Sequence, residues 1–172
     1  MKAAALISVE DYLRTTYDPD CDYVDGEVIE RNVGERLHGK LQFELAYLFR
    51  TQRAIWKTYA LIETRVQVSE RRFRIPDVCV YIGPEPRERI LSTPPFICIE
   101  ILSPEDRISR TQARMDDYLQ FGVRYVWVID PDNRRVWVYT ADGSREVKDG
   151  MLRTENPSLT VDLSEIFAGI DE

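Results

Sequence analysis

The chain has 172 residues, of which 44% are hydrophobic and 31% charged. That is the length of one domain with enough apolar material for a core, and it excludes a disordered chain. A formal charge of −7, from 30 acids against 23 bases, excludes nucleic-acid binding over the whole surface, because phosphate contacts require clustered Lys and Arg.

Ser8 followed by Asp11 predicts a capped first helix over residues 8–15. The run Met1–Ile7 before it lacks the longer apolar core and cleavage pattern of a signal peptide, so the expected compartment is the cytoplasm. Asp25-Gly26 lies between Cys21–Val24 and Glu27–Glu30. The pair predicts a hairpin, since both central residues of a type I′ turn need positive φ. Leu37, Leu41, Leu45 and Leu48 recur at helical spacing and predict a long helix from Gly34 to about Ala54.

Strands are expected near 56–62, 64–69 and 76–82, followed by a proline-rich, charged loop from Gly83 to Pro95. The most apolar strand, Phe96 to Leu102, is far too short to cross a bilayer. A helix is expected over 105–121, with Ile108, Met115 and Leu119 facing the core and Gly122 as its cap. Arg124–Ile129, the turn Asp130–Asn133, Arg135–Thr140 and a segment near 145–152 read as a meander, and a short helix starts near Leu163. This order suggests a mixed α/β (α+β) domain, a central mixed β-sheet flanked by helices, rather than a regularly alternating parallel sheet.

Two carboxylates stand out. Glu100 sits among Phe96, Ile97, Cys98, Ile99, Ile101 and Leu102, and a strand apolar on both faces is normally covered above and below. An ionised carboxylate there costs several kcal/mol unless a metal, a basic partner or protonation compensates it. Asp77 follows Pro76 and opens the run Val78–Ile82. Two carboxylates on neighbouring central strands would converge and suit Mg²⁺ or Mn²⁺, which completes its shell with water and phosphate oxygen. The structural alternative pairs Glu100 with an arginine and gives Asp77 a turn-capping role.

Arg107, Arg110 and Arg114 fall at steps of three and four on one helical stripe. They read equally as a phosphate-facing edge or as a solvated face with local pairs, Asp106 with Arg110 and Arg114 with Asp117. A second basic group comprises Arg65, Arg71, Arg72 and Arg74. His38, the single histidine, either points to the site or edges the core, and Glu30, Glu35 or Glu44 would add a further metal ligand. Tyr125, Trp127, Trp137 and Tyr139 alternate on two adjacent strands, which suggests cross-strand packing or a subunit interface rather than base stacking. Three widely spaced cysteines, Cys21, Cys79 and Cys98, carry no zinc spacing. Cys79 and Cys98 read as buried hydrophobes.

Ile75-Pro76-Asp77-Val78, Ile99 to Pro104, Tyr118 with Gly122-Val123, and Tyr125 to Pro131 together resemble a large bacterial family of restriction-endonuclease-like proteins, abundant in cyanobacteria, within the PD-(D/E)XK superfamily. Asp25-Gly26-Glu27 and His38 also fit its pattern, and the likeness runs from about Ser8 to Phe167. It implies a restriction-endonuclease-like fold, Mg²⁺-dependent phosphodiester hydrolysis in DNA, and often a homodimer. Asp77 takes the place of the motif aspartate and Glu100 that of its second acid. Leu102 stands where the motif lysine belongs, and the family's alternative lysine position, four residues before the tyrosine, holds Arg114. Arginine can clamp a phosphate with two parallel hydrogen bonds but does not readily release a proton, so the resemblance implies an electrostatic role for it.

Overall fold

The computed structural model describes residues 6–32, 35–106 and 108–171; Arg107 and the side chain of Ile108 lie outside the described residues. Ser8 caps α1 (Val9–Arg14), its hydroxyl accepting from the Asp11 N–H at 3.0 Å and donating to the Asp11 carboxylate at 2.7 Å. Next come β1 (Asp22–Val24) and β2 (Glu27–Ile29), joined by Asp25 and Gly26 at φ 52° and 105°, as the dipeptide requires. Helix α2 (Arg36–Trp56) leads into β3 (Thr58–Ile62), β4 (Val66–Ser69), β5 (Arg72–Arg74), β6 (Val78–Ile82) and β7 (Ile97–Ile101). After α3 (Ile108–Phe121) follow β8 (Tyr125–Asp130), β9 (Arg135–Thr140), β10 (Gly143–Glu146), β11 (Met151–Thr154), β12 (Leu159–Asp162) and α4 (Leu163–Asp171).

The main sheet has the order β10-β9-β8-β7-β6-β3. Only β7 and β8 are parallel, with α3 as their crossover, and the other neighbours are antiparallel. Along β7 alternate residues serve opposite faces. Ile97, Ile99 and Ile101 join Val78, Val80, Trp127 and Ile129 under Leu41, Leu45 and Phe49 of α2 and the apolar side of α4. Cys98 joins Cys79, Val126 and Val128 under Met115 and Tyr118 of α3. Each large side chain fully buried in these layers contributes roughly 1.5–3 kcal/mol relative to exposure. A second sheet, β2-β1-β5-β4, lies beyond α3 and meets it through β4. No described helix is long and apolar enough to cross a membrane.

The expected meander needs correction. Strand β10 continues it from β9, but β11 leaves and pairs with β12, a strand not anticipated, in a two-stranded sheet. Leu152, Leu159 and Val161 are buried against the α2 face, which is what draws the ribbon away. Strand β5 was also not anticipated, because Arg72-Phe73-Arg74 carries one apolar residue between two charges. The aromatics of β8 and β9 pack across the strands on valines rather than on one another. Register places Trp127 opposite Val138 and Val128 opposite Trp137, so Trp127 enters the α2 side while Trp137 and Tyr139 lie on the other face. Cys79 and Cys98 are buried cross-strand partners with free thiols, in accord with a core role.

Candidate active site

The antiparallel register of β6 and β7 pairs Val78 with Ile99 and Cys79 with Cys98. Continued by one residue, it sets Asp77 opposite Glu100. Both carboxylates are almost completely buried, at 3% and 2% exposure. Glu100 shares the parity of Cys98 and faces α3, where the Tyr118 hydroxyl donates to its Oε1 at 2.6 Å and Arg114 Nη1 donates to its Oε2 at 2.7 Å. Asp77 Oδ2 accepts from the Ile101 N–H at 2.7 Å, which ties it across to β7. Its Oδ1 accepts from Arg31 Nη2 at 2.8 Å and lies 3.3 Å from His38 Nε2, while Gln42 donates to the Asp77 carbonyl at 2.9 Å. The first turns of α2 and the segment after β2 therefore hold one acid, and α3 holds the other.

Behind them lies an ion-pair network that joins the second sheet to α3. Asp22 is fully buried and accepts from Arg74 Nη1 at 2.9 Å, from Arg114 Nε at 3.3 Å and from the Ile75 N–H at 3.1 Å. Asp117 accepts from Arg72 and Arg74 at 2.7 Å each. Four carboxylates, Asp22, Asp77, Glu100 and Asp117, thus face four guanidinium groups, Arg31, Arg72, Arg74 and Arg114. Compensation is nevertheless uneven. Burial pushes the Glu100 carboxyl up, the Arg114 charge pulls it down, and the Asp77 charge raises it again, leaving it at about 7. Burial also works against Asp77, but the His38 hydrogen bond and the His38 and Arg31 charges outweigh it and hold the carboxyl below its usual range. For His38, burial disfavours the cation, yet the bond to Asp77 prevails and the imidazole is raised.

Of the sequence candidates, Asp77, Glu100, Arg114 and His38 meet here. Arg110 is exposed and lines a small cavity, about 70 Å³, with Asp22, Glu30, Glu105, Asp106 and Arg114. Arg114 forms part of that lining and also reaches Glu100, so it stands between the cavity and the buried acid. Its Nη2 has no hydrogen-bond partner among the described residues. Arg107 lies outside the described residues.

The anticipated local pairs do not form. Asp106 instead accepts from the Ser103 N–H and Asn32, Asp117 takes Arg72 and Arg74, and Arg114 takes Asp22 and Glu100. The basic group of β4 and β5 is largely neutralised, since Arg65 pairs with Asp20, and Arg72 and Arg74 pair with Asp25, Asp22 and Asp117. Among the three further acids, Glu30 lines the cavity, Glu35 is the exposed N-cap residue of α2, and Glu44 packs against the Gly169 backbone of α4. Asp22, Arg31 and the role of Tyr118 were not foreseen. Tyr118 lies in a recognised motif, but Asp22 and Arg31 look like ordinary polar residues flanking a hairpin.

The structural alternative is present for Glu100, which pairs with Arg114, whereas Asp77 accepts from Arg31 and from the Ile101 N–H of β7 rather than capping a turn; all four carboxylate oxygens accept at least one hydrogen bond. The donor set still suits a hard divalent cation. Asp77 and Glu100 are opposed on neighbouring strands and feel each other's charge, each Glu100 oxygen keeps a lone pair, and the Glu100 charge remains under-compensated even with Arg114 in contact. Among the described residues no group of three or more His, Cys, Asp or Glu side chains forms a metal cage, so such an ion would depend on water and substrate oxygen for much of its shell.

A solved structure described as a putative nuclease belonging to DUF820, from Anabaena variabilis ATCC 29413, superposes with a TM-score of 0.82 over 95% of this chain and 99% of its own, at 22% identity. That likeness shows a shared restriction-endonuclease-like fold. No curated protein matches the sequence. The model of the family Uma2, described as "Putative restriction endonuclease", matches residues 9–170, and the chain belongs to that family.

Proposed function

We propose that this chain is a metal-dependent nuclease that hydrolyses phosphodiester bonds in DNA, acting in the cytoplasm as a homo-oligomer. The observation that carries the reading is the opposition of Asp77 and Glu100 on one face of β6 and β7, with Arg114 touching Glu100 and lining the cavity outside. Asp77 and Glu100 would hold Mg²⁺ or Mn²⁺. When bound, the ion supplies a water of lowered pKa and positive charge against the phosphate. Arg114 keeps Nη2 for a phosphate oxygen while Asp22 fixes its Nε edge, so the guanidinium is ordered before substrate arrives. Arg31 and the Ile101 N–H orient Asp77. The bond from His38 to Asp77 raises the imidazole and favours its charged, donating form. Exposed Phe43 and Tyr47, stacked on α2 at 6.2 Å, are the kind of surface that a second subunit covers.

Digestion of plasmid and single-stranded DNA with Mg²⁺ or Mn²⁺ tests the reading. Asp77→Ala and Glu100→Ala should each reduce cleavage by about 100-fold or more, and chelation should abolish it. Cleavage that survives both substitutions overturns the assigned site. A second reading is a catalytically impaired domain that binds nucleic acid or a protein partner. It is favoured by the equal number of arginines and acids at the site and by arginine at the lysine position. Metal-independent DNA binding without cleavage by the wild type would select it.

A further inference from the structure

At the far end of α2 the charge pattern reverses. An open groove of about 620 Å³ is lined by Arg50, Arg53, Lys57, Tyr59 and Gly83 and by no carboxylate. Arg50 and Lys57 are exposed, and none of the three cations forms an ion pair among the described residues. In a chain of charge −7, whose arginines around the buried acids are engaged with carboxylates, three unmatched cations around one concavity form a local positive field. Cations near a helix C-terminus offset its dipole, each by about 0.3–1 kcal/mol. That accounts for Arg53 in the last turn and Lys57 at the cap, but not for Arg50, nearly two turns back. Lys57 adopts φ 55° and ψ 41°, where glycine is the usual and less strained choice. Its backbone is fixed by its N–H bond to the Arg53 carbonyl and by the Gly83 N–H donating to its own carbonyl at 2.8 Å. Arg53 Cζ sits over the Tyr59 ring, 3.6 Å from the centroid, which orders the guanidinium at the groove wall.

We infer that this groove binds the phosphate backbone of a nucleic acid, at a site separate from the buried acids. Asp77 precedes β6 and Gly83 follows it, so the two sites lie roughly 20 Å apart along the strand, about six base pairs of duplex. The inference deepens the nuclease reading and rests on it for the identity of the ligand.

The test is fluorescence anisotropy with a labelled duplex long enough to span both sites, in EDTA so that no cleavage intervenes. Arg50→Gln/Arg53→Gln/Lys57→Gln should weaken binding about tenfold or more and lower the slope of log affinity against log salt by roughly 2–3. The charge-matched control Arg87→Gln/Arg89→Gln/Arg145→Gln should fall far less, and Arg50→Lys/Arg53→Lys should keep wild-type binding, which separates charge from folding. Equal losses in the groove and control variants overturn the inference and leave the three cations as helix-end charges. An absence of duplex binding by the wild type also overturns it. Because the readout needs no catalysis, the digestion assay judges the nuclease reading independently: Asp77→Ala can lose cleavage while groove binding is unchanged.

Discussion

Glu100 carries a charge that its surroundings only partly accept. Burial keeps its carboxyl raised to about 7 against Arg114 and Tyr118, so the folded chain holds this proton to a higher pH than the unfolded chain. The associated stability is fully present below the ordinary carboxylate range and is lost as pH rises through about 7. Denaturant unfolding of wild type and Glu100→Gln, without metal, should show the wild type losing ground relative to the variant between pH 5 and 8, by up to about 3 kcal/mol. A pH-independent difference would contradict the assignment. Arg114 contacts both Asp22 and Glu100, and on the proposed nuclease reading it would serve by charge and hydrogen bonding, not by proton exchange. Arg114→Ala should lower DNA cleavage by about 10–100-fold, while Arg114→Lys retains a measurable part. Equal activity in the alanine variant and the wild type would remove Arg114 from the chemistry.

At the scale of elements, the second sheet is fastened to α3 by charge. Arg74 is 4% exposed and Asp117 5%, and Asp117 is bonded to both arginines of β5. Removing one partner from a buried ion pair strands the other, so Asp117→Ala should destabilise the fold by about 3–5 kcal/mol in urea unfolding. A loss below about 1 kcal/mol would mean that the network is solvated. Gly122 closes α3 at φ 107°, and a Cβ there would lie 3.3 Å from Pro94 Cγ. Gly122→Ala should cost about 1–2 kcal/mol by the same measurement. That cap, the Ser8 cap and the Asp25-Gly26 turn were legible because their physics is local: a few adjacent residues determine the conformation. Strand β5 was not, since its single inward residue, Phe73, packs on Tyr12 and Tyr23 from distant segments. Strand β11 was assigned to the wrong sheet because both outcomes satisfy the same alternation, and only the tertiary surface under Leu152 decides between them.

For the whole molecule, the sequence yielded the architecture and the facing acids, because apolar strands and an acid that breaks one are readable in series. It did not yield the partners. Asp22, Arg31, Arg74 and Asp117 reach one another, Asp77 or Arg114 across separations of 43 to 92 residues, and each alone looks like an ordinary polar residue. Net charge was a coarse guide for the same reason. Most of the basic residues that suggested a phosphate-binding patch near β4 and β5 are spent on carboxylates, whereas three cations without an ion pair among the described residues line the groove at the end of α2. The central claim is that Asp77 and Glu100 jointly hold a divalent cation, with Arg31 and Arg114 balancing their charge in its absence. Calorimetric titration of Mn²⁺ into wild type and Glu100→Gln tests it most directly. The account predicts saturable heat in the wild type that disappears in the variant. Indistinguishable titrations, or no binding by the wild type, would contradict it.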